Sequence, residues 1–224
     1  MRDGLRSLFE KYGLPKALRV DNGGPWGRLQ NTPKWLALWI AGLGVDVRWI
    51  RPSTPKDNPQ IERCNRLVDE WSEPHTCKSV EEWQTRLDQM VELQREEYPV
   101  RNGLPRTTIH PEFKEVKRPY SRETEMDSWD LSQAKRLLSQ FSWQRVVSSK
   151  GQITVMSQRF MVGSTYRGRK VNVRFDAEQN VYAVKDMDGK PLCTADAVDI
   201  NVETIMSLAS THQKRRRQTC GATP

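Results

Sequence analysis

The sequence predicts an α/β core followed by a small β-barrel. Three observations carry that expectation. The first hundred residues alternate helix-period and strand-period apolar patterns. Two cap-then-proline signals, Thr32-Pro33 and Asn58-Pro59, mark helix starts. Past about Phe141 the apolar period changes to two.

The elements follow in order. Leu5, Leu8, Phe9 and Tyr12 fall on one helical face over residues 4–12, and Gly13 and Pro15 stop that helix. Ala17 to Val20 is too short for a helix and reads as a strand running into Asp21. Trp35, Leu36, Trp39, Ile40 and Leu43 recur at helical spacing, giving an amphipathic helix that Gly42 and Gly44 end. Val45 to Ile50 alternates as a strand does. Asn58-Pro59 opens a helix to about Glu73 with the stripe Ile61, Cys64, Val68 and Trp71. Ser79 and Glu82 form a capping box for another helix, with Trp83, Leu87, Met90, Val91 and Tyr98 inward. Residues 100–124 are Pro-rich and basic with little periodicity, and a short helix follows at about Trp129 to Phe141. Four strand-like runs, 152–156, 159–162, 170–175 and 181–185, are separated by turn residues, as in a small barrel. The expected organisation is a core at 1–99, a basic connector with a short helix at 100–145, a barrel at 146–200 and a basic, disordered tail at 201–224.

The 224 residues carry a net charge of +8, with a pI near 9.5 and a mean hydropathy of −0.76. That balance favours a polyanionic partner such as nucleic acid. No apolar run is long enough to span a bilayer, and no secretory signal is expected at the N-terminus. The four cysteines (Cys64, Cys77, Cys193, Cys220) lack zinc spacing and read as free thiols in a reducing compartment.

Two acidic positions carry the chemistry. Asp21 ends a strand and enters the turn Asn22-Gly23-Gly24, and Glu62 lies in the first turns of a helix opened by a Pro-rich loop. Carboxylates converging from a strand end and a helix start can hold Mg²⁺ against a phosphodiester, because Mg²⁺ takes oxygen ligands and shares them with substrate phosphate. Each also has a plainer explanation. Asp-Asn-Gly is a common turn, and Glu62 suits the helix dipole and an i, i+4 pair with Arg66. Trp35, Trp39, Trp71 and Trp83 sit at core spacings. Arg167, Arg169 and Lys170 are either a solvated edge or phosphate contacts, and Lys214, Arg215, Arg216 and Arg217 are either a solvated tail or phosphate contacts. His75 and His110 have no identifiable role.

In combination these motifs resemble the catalytic core of DDE transposases and retroviral integrases, above all the integrase-like bacterial insertion-sequence transposases. The matching residues are Phe9-Glu-Lys-Tyr-Gly-Leu-Pro15, Arg19-Val-Asp21-Asn-Gly23, the strand Val45–Ile50, and Arg51-Pro-Ser-Thr-Pro55 through Asn58-Pro-Gln-Ile-Glu62-Arg63. Trp143 to Ile153 resembles the start of that family's C-terminal small barrel. The resemblance implies a partial ribonuclease-H-like core followed by an SH3-like β-barrel. It also implies Mg²⁺- or Mn²⁺-dependent DNA strand cleavage and transfer, with Asp21 and Glu62 as catalytic metal ligands. DNA contacts would come from Lys56, Arg63, Arg66, Arg167, Arg169, Lys170 and Lys214 to Arg217. The implied partners are transposon ends, target DNA, and a second copy or a full-length transposase, in a bacterial cytoplasm at the nucleoid.

Departures from the family pattern are specific. The interval between Asp21 and Glu62 is longer than usual, with the extra residues at Gly24–Pro33. Asp69 stands where a second basic DNA contact would follow Arg66. The family's first Asp lies on a strand preceding the helix that here begins the sequence, and Asp3 cannot replace it, so an N-terminally truncated, inactive fragment is expected. Such a fragment should expose apolar surface around Leu5, Leu8 and Val20. The rival expectations are a non-catalytic DNA-binding regulator of a full-length enzyme, and a remnant that does not fold stably.

Overall fold

The computed structural model describes residues 1–27, 33–52, 59–156 and 158–207, without the side chain of Gln60. It is mixed α/β with several small sheets. The chain divides into two compact units. One unites Met1–Trp49 with the chain from Tyr120 onward, and the other is Ile50–Pro119.

In the first unit, α1 (Arg2–Tyr12) ends where Gly13 takes φ 78° and donates its N–H to the Phe9 carbonyl at 2.7 Å. Strand β1 (Ala17–Val20) leads through the Asp21 turn to α2 (Trp35–Gly42) and β2 (Asp46–Trp49). β1 and β2 pair in parallel, with Ala17 opposite Asp46 and Val20 opposite Trp49. Helix α2 differs from its expected form in two ways. It starts after Lys34 rather than at the expected cap, and Thr32 lies outside the described residues. Nor is it amphipathic, because every residue from Leu36 to Gly42 is buried. The reason is composition: Trp-Leu-Ala-Leu-Trp-Ile-Ala-Gly has no polar side chain to make a solvated face.

The rest of this unit supplies the covering. It contains α6 (Glu125–Ser128), α7 (Leu131–Ser139), strands β5 (Ser142–Val146), β6 (Gln152–Val155), β7 (Gln158–Met161), β8 (Lys170–Asp176), β9 (Val181–Lys185) and β10 (Pro191–Asp196), and α8 (Val202–Ser207). α7 and α8 pack on α2. Trp129 lies against Gly42, where an added Cβ would meet Trp129 Cε2 at 2.1 Å, and its indole N–H donates to the Trp39 carbonyl at 2.9 Å. A buried carboxylate sits in this interior. Glu125, 2% exposed, accepts from Arg6 Nε at 2.9 Å and Trp39 Nε1 at 3.3 Å, and also from Arg6 Nη2 and the Tyr120 hydroxyl.

The C-terminal strands correct the expected barrel. Four form an antiparallel sheet in the order β10-β9-β8-β5, while β6 and β7 pair with each other as a separate hairpin. Among the described residues the strands do not close. The inner sheet face (Trp143, Val173, Phe175, Tyr182, Val184) joins the same apolar cluster as Phe9, Trp39 and Val47. The β6–β7 hairpin helps cover that face, with the Phe160 ring stacked on Tyr182 at 6.0 Å, so an apolar interior forms without closure. Of the apolar residues expected at an open edge, Leu8 is exposed, Leu5 is half-buried and Val20 is buried.

The second unit holds α3 (Pro59–Ser72), a 3₁₀ turn (Pro74–Thr76), α4 (Val80–Glu96), a hairpin of β3 (Pro99–Arg101) and β4 (Leu104–Pro105), the short α5 (Arg106–Ile109) and a 3₁₀ turn at Pro111–Lys114. The capping box is formed: Glu82 N–H donates to Ser79 Oγ at 3.2 Å, and Lys78 N–H to Glu82 Oε2 at 2.9 Å. The interior is thin. Met90 is buried, and Ser72 Oγ accepts from Trp83 Nε1 at 2.9 Å while donating to the Val68 carbonyl at 2.7 Å. Of the expected α3 stripe, Ile61 and Cys64 are exposed while Val68 and Trp71 are half-buried. Val91 and Tyr98, expected inward, are exposed.

Candidate functional site

Strand β1 ends at Val20, and its β-sheet direction delivers Asp21 to the carboxyl end of a parallel pair. Open parallel α/β sheets characteristically bind ligands there. Asp21 is exposed, and its Oδ1 accepts the Gly23 N–H at 3.2 Å, the geometry of an Asx turn. A Cβ on Gly23 would lie 3.4 Å from Asp21 Oδ2, in ordinary van der Waals contact. The turn is tightened by Gly27 N–H to the Gly23 carbonyl at 2.8 Å and tied to the α2 start by Lys34 N–H to the Trp26 carbonyl at 3.1 Å.

Glu62 lies in the first turn of α3, exposed, in the second unit. The expected i, i+4 pair with Arg66 is replaced. Arg66 Nε faces Glu70 Oε1 at 3.6 Å, one turn further on. Both partners are largely solvated, so this pair contributes little. Arg63 is exposed on the same helix. Among the described residues no group of three or more His, Cys, Asp or Glu side chains is placed to hold a metal. Asp21 and Glu62 offer the hard oxygen donors that Mg²⁺ or Mn²⁺ takes, each from its own unit.

The basic residues fall into three sets. Arg167, Arg169 and Lys170 are exposed at the entry to β8. Their backbone is fixed by Gly168 N–H to the Val147 carbonyl at 2.9 Å and Val147 N–H to the Arg169 carbonyl at 3.0 Å. None of the three forms an ion pair among the described residues, which leaves their charge free for an anion. Arg145, which was not singled out from the sequence, stands next to Val146, the register partner of Lys170. Its Nε donates to the Thr154 carbonyl at 3.0 Å, and burial pulls its pKa below the usual arginine value. Ser142–Val146 lies outside the four strand-like runs read from the sequence, and its apolar residues Trp143 and Val146 do not alternate, so no signal there marked Arg145. Lys56 and the tail residues Lys214 to Arg217 lie outside the described residues.

Cys64, Cys77 and Cys193 are free thiols, as expected, and Cys220 lies outside the described residues. No described helix is long and apolar enough to cross a membrane. No protein-family model matches the chain.

Proposed function

We propose that this chain carries part of the catalytic core of a DDE-type polynucleotidyl transferase, of the transposase and retroviral-integrase kind, and binds DNA. One observation carries the proposal. The element order β1, Asp21, α2, parallel β2, then α3 with Glu62 in its first turn is the order in which a phosphoryl-transfer core of this kind carries two of its carboxylates, and it supports the reading. The first unit is then read as a partial ribonuclease-H-like core. Its open antiparallel sheet is read as the counterpart of the SH3-like domain.

A divalent metal ion, Mg²⁺ or Mn²⁺, would supply activation of the attacking oxygen and stabilisation of the leaving oxygen. The residues of this chain would bind it through Asp21 and Glu62, and would position DNA through Arg63, Arg66, Arg145, Arg167, Arg169 and Lys170. On this reading Asp21 and Glu62 would correspond to two of the family's three acidic positions. The natural setting would be a bacterial mobile element, with a second copy or a full-length transposase as partner.

The test is Mn²⁺ binding by the full chain, followed by electron paramagnetic resonance, with Asp21→Asn, Glu62→Gln and the double variant. If the carboxylates share an ion, each single variant loses at least about tenfold in affinity, equivalent to 1.4 kcal/mol, and the double loses no more than either. Independent small losses, or none, refute the shared site.

A further inference from the structure

We propose that Lys34 is a phosphate-contacting residue of the Asp21 site, with its ammonium placed to receive a DNA phosphate held beside the Asp21 carboxylate. This rests on the Asp21 function proposed above and adds a residue that no family motif in the sequence marks.

Lys34 is the residue from which α2 starts. Its aliphatic stem lies across Gly27. That glycine has φ +59°, and an added Cβ would meet Lys34 Cγ at 2.3 Å and Cδ and Cε at 2.9 Å. The stem therefore occupies a groove that only glycine leaves open. The ammonium lies further back along the loop, 3.4 Å from where a Cβ on Gly24 would stand. The preceding residue, Gly23, is the one whose Cβ would face Asp21 Oδ2 at 3.4 Å. The cation and the carboxylate thus abut consecutive residues of one turn. Chain geometry keeps them within about 14 Å of each other.

They are nevertheless not paired. No ion pair of Lys34 occurs among the described residues, although a flexible lysine on an exposed loop could swing to a carboxylate. A lysine that packs its stem and leaves its head in solvent usually does so to cover apolar surface. Here the stem covers a glycine loop, and the head stands beside the turn that carries the exposed Asp21 carboxylate. A metal-bound phosphodiester presents anionic oxygens beyond its metal ligands, and a lysine ammonium suits them as a point charge.

The experiment is anisotropy titration of a short labelled DNA duplex with the full chain at stepped NaCl, in Mn²⁺ and in EDTA. Lys34→Met keeps the stem over Gly27 and removes the charge, and circular dichroism establishes that it folds. Lys34→Gln is the second variant, and Lys34→Arg is the rescue. In Mn²⁺, Lys34→Met and Lys34→Gln should bind several-fold more weakly, and the slope of log affinity on log salt should fall by about one, the value for one phosphate contact. Lys34→Arg should restore both. The loss should shrink in EDTA and in an Asp21→Asn background. An unchanged slope in Mn²⁺ overturns the proposal, and so does a loss identical in Mn²⁺ and EDTA. A shared Asp21–Glu62 metal site is refuted separately, if neither Asp21→Asn nor Glu62→Gln alters Mn²⁺ affinity.

Discussion

Replacing Arg6 by Met should be among the most damaging single changes in the first unit. Glu125 is 2% exposed, and its four hydrogen bonds come from Arg6, Tyr120 and Trp39. Arg6 gives two of them, and its guanidinium carbon also lies 5.7 Å from the Trp39 ring centroid. Removing it leaves a buried carboxylate without a countercharge, which costs about 3–5 kcal/mol. For a unit of this size each kcal/mol lowers Tm by about 2–4 °C, so the expected loss is roughly 6–20 °C. Thermal unfolding followed by circular dichroism measures it. The pH dependence is a second readout. Burial pushes Glu125 up, but the hydrogen bonds from Arg6, Tyr120 and Trp39 more than reverse this and hold it below its ordinary 4.5. A depressed carboxylate stabilises the fold above its unfolded pKa, and that stability is lost as pH falls below about 4.5. In Arg6→Met burial would prevail and the folded pKa would rise. The variant should then gain stability on acidification down to about 4.5, where the wild type is flat, and level off below it, where the wild type loses stability. Adding Glu125→Gln to Arg6→Met should recover part of the loss, because the unpaired charge is gone. An Arg6→Met protein within about 1 kcal/mol of wild type, with the same sign of pH slope, would refute this account of the cluster.

Two further outcomes are expected. Gly42→Ala drives a methyl into Trp129, and overpacking of this kind costs about 1–3 kcal/mol or more; urea unfolding followed by tryptophan fluorescence should show a lower midpoint. Replacing Arg167, Arg169 and Lys170 together by Ala should cut the salt slope of duplex binding by up to about three, measured on the full chain, and an unchanged slope would assign these charges to solubility alone.

Where local chemistry decided the structure, it was legible in advance. β1 matches its expected bounds because Gly13, Pro15 and the Asp21 turn confine it on both sides. The Ser79–Glu82 capping box forms as read, because its donors and acceptors lie within one turn. Tertiary context overrode the pattern elsewhere. The helical stripe of α2 was real but incomplete, since α7, α8 and Trp129 also claim its other faces, and these lie far away in sequence. The hairpin β3–β4 was hidden in a stretch read as a connector. Its signal was Asn102-Gly103, both at positive φ (53° and 73°), the preferred residues of a tight two-residue hairpin turn. The Asp21 turn was legible from its residues, whereas Lys34 was not. Nothing in the spacing of a lysine reveals that a glycine seven positions earlier leaves room for its stem.

The shared core of residues 1–49 and the segment from Tyr120 onward has a consequence for how the protein is made. A ribosome delivers α2 long before it delivers α7, the β5–β10 strands or α8, so an all-apolar helix must wait, uncovered, through the synthesis of the intervening unit. Contacts of such long sequence separation form late and slowly. A nascent chain with a bare Trp-Leu-Ala-Leu-Trp-Ile segment is a substrate for holdase chaperones and a nucleus for aggregation. Cutting the gene within the connector would strand that helix permanently. Expression as two separate pieces should therefore give insoluble halves that become soluble only when produced together.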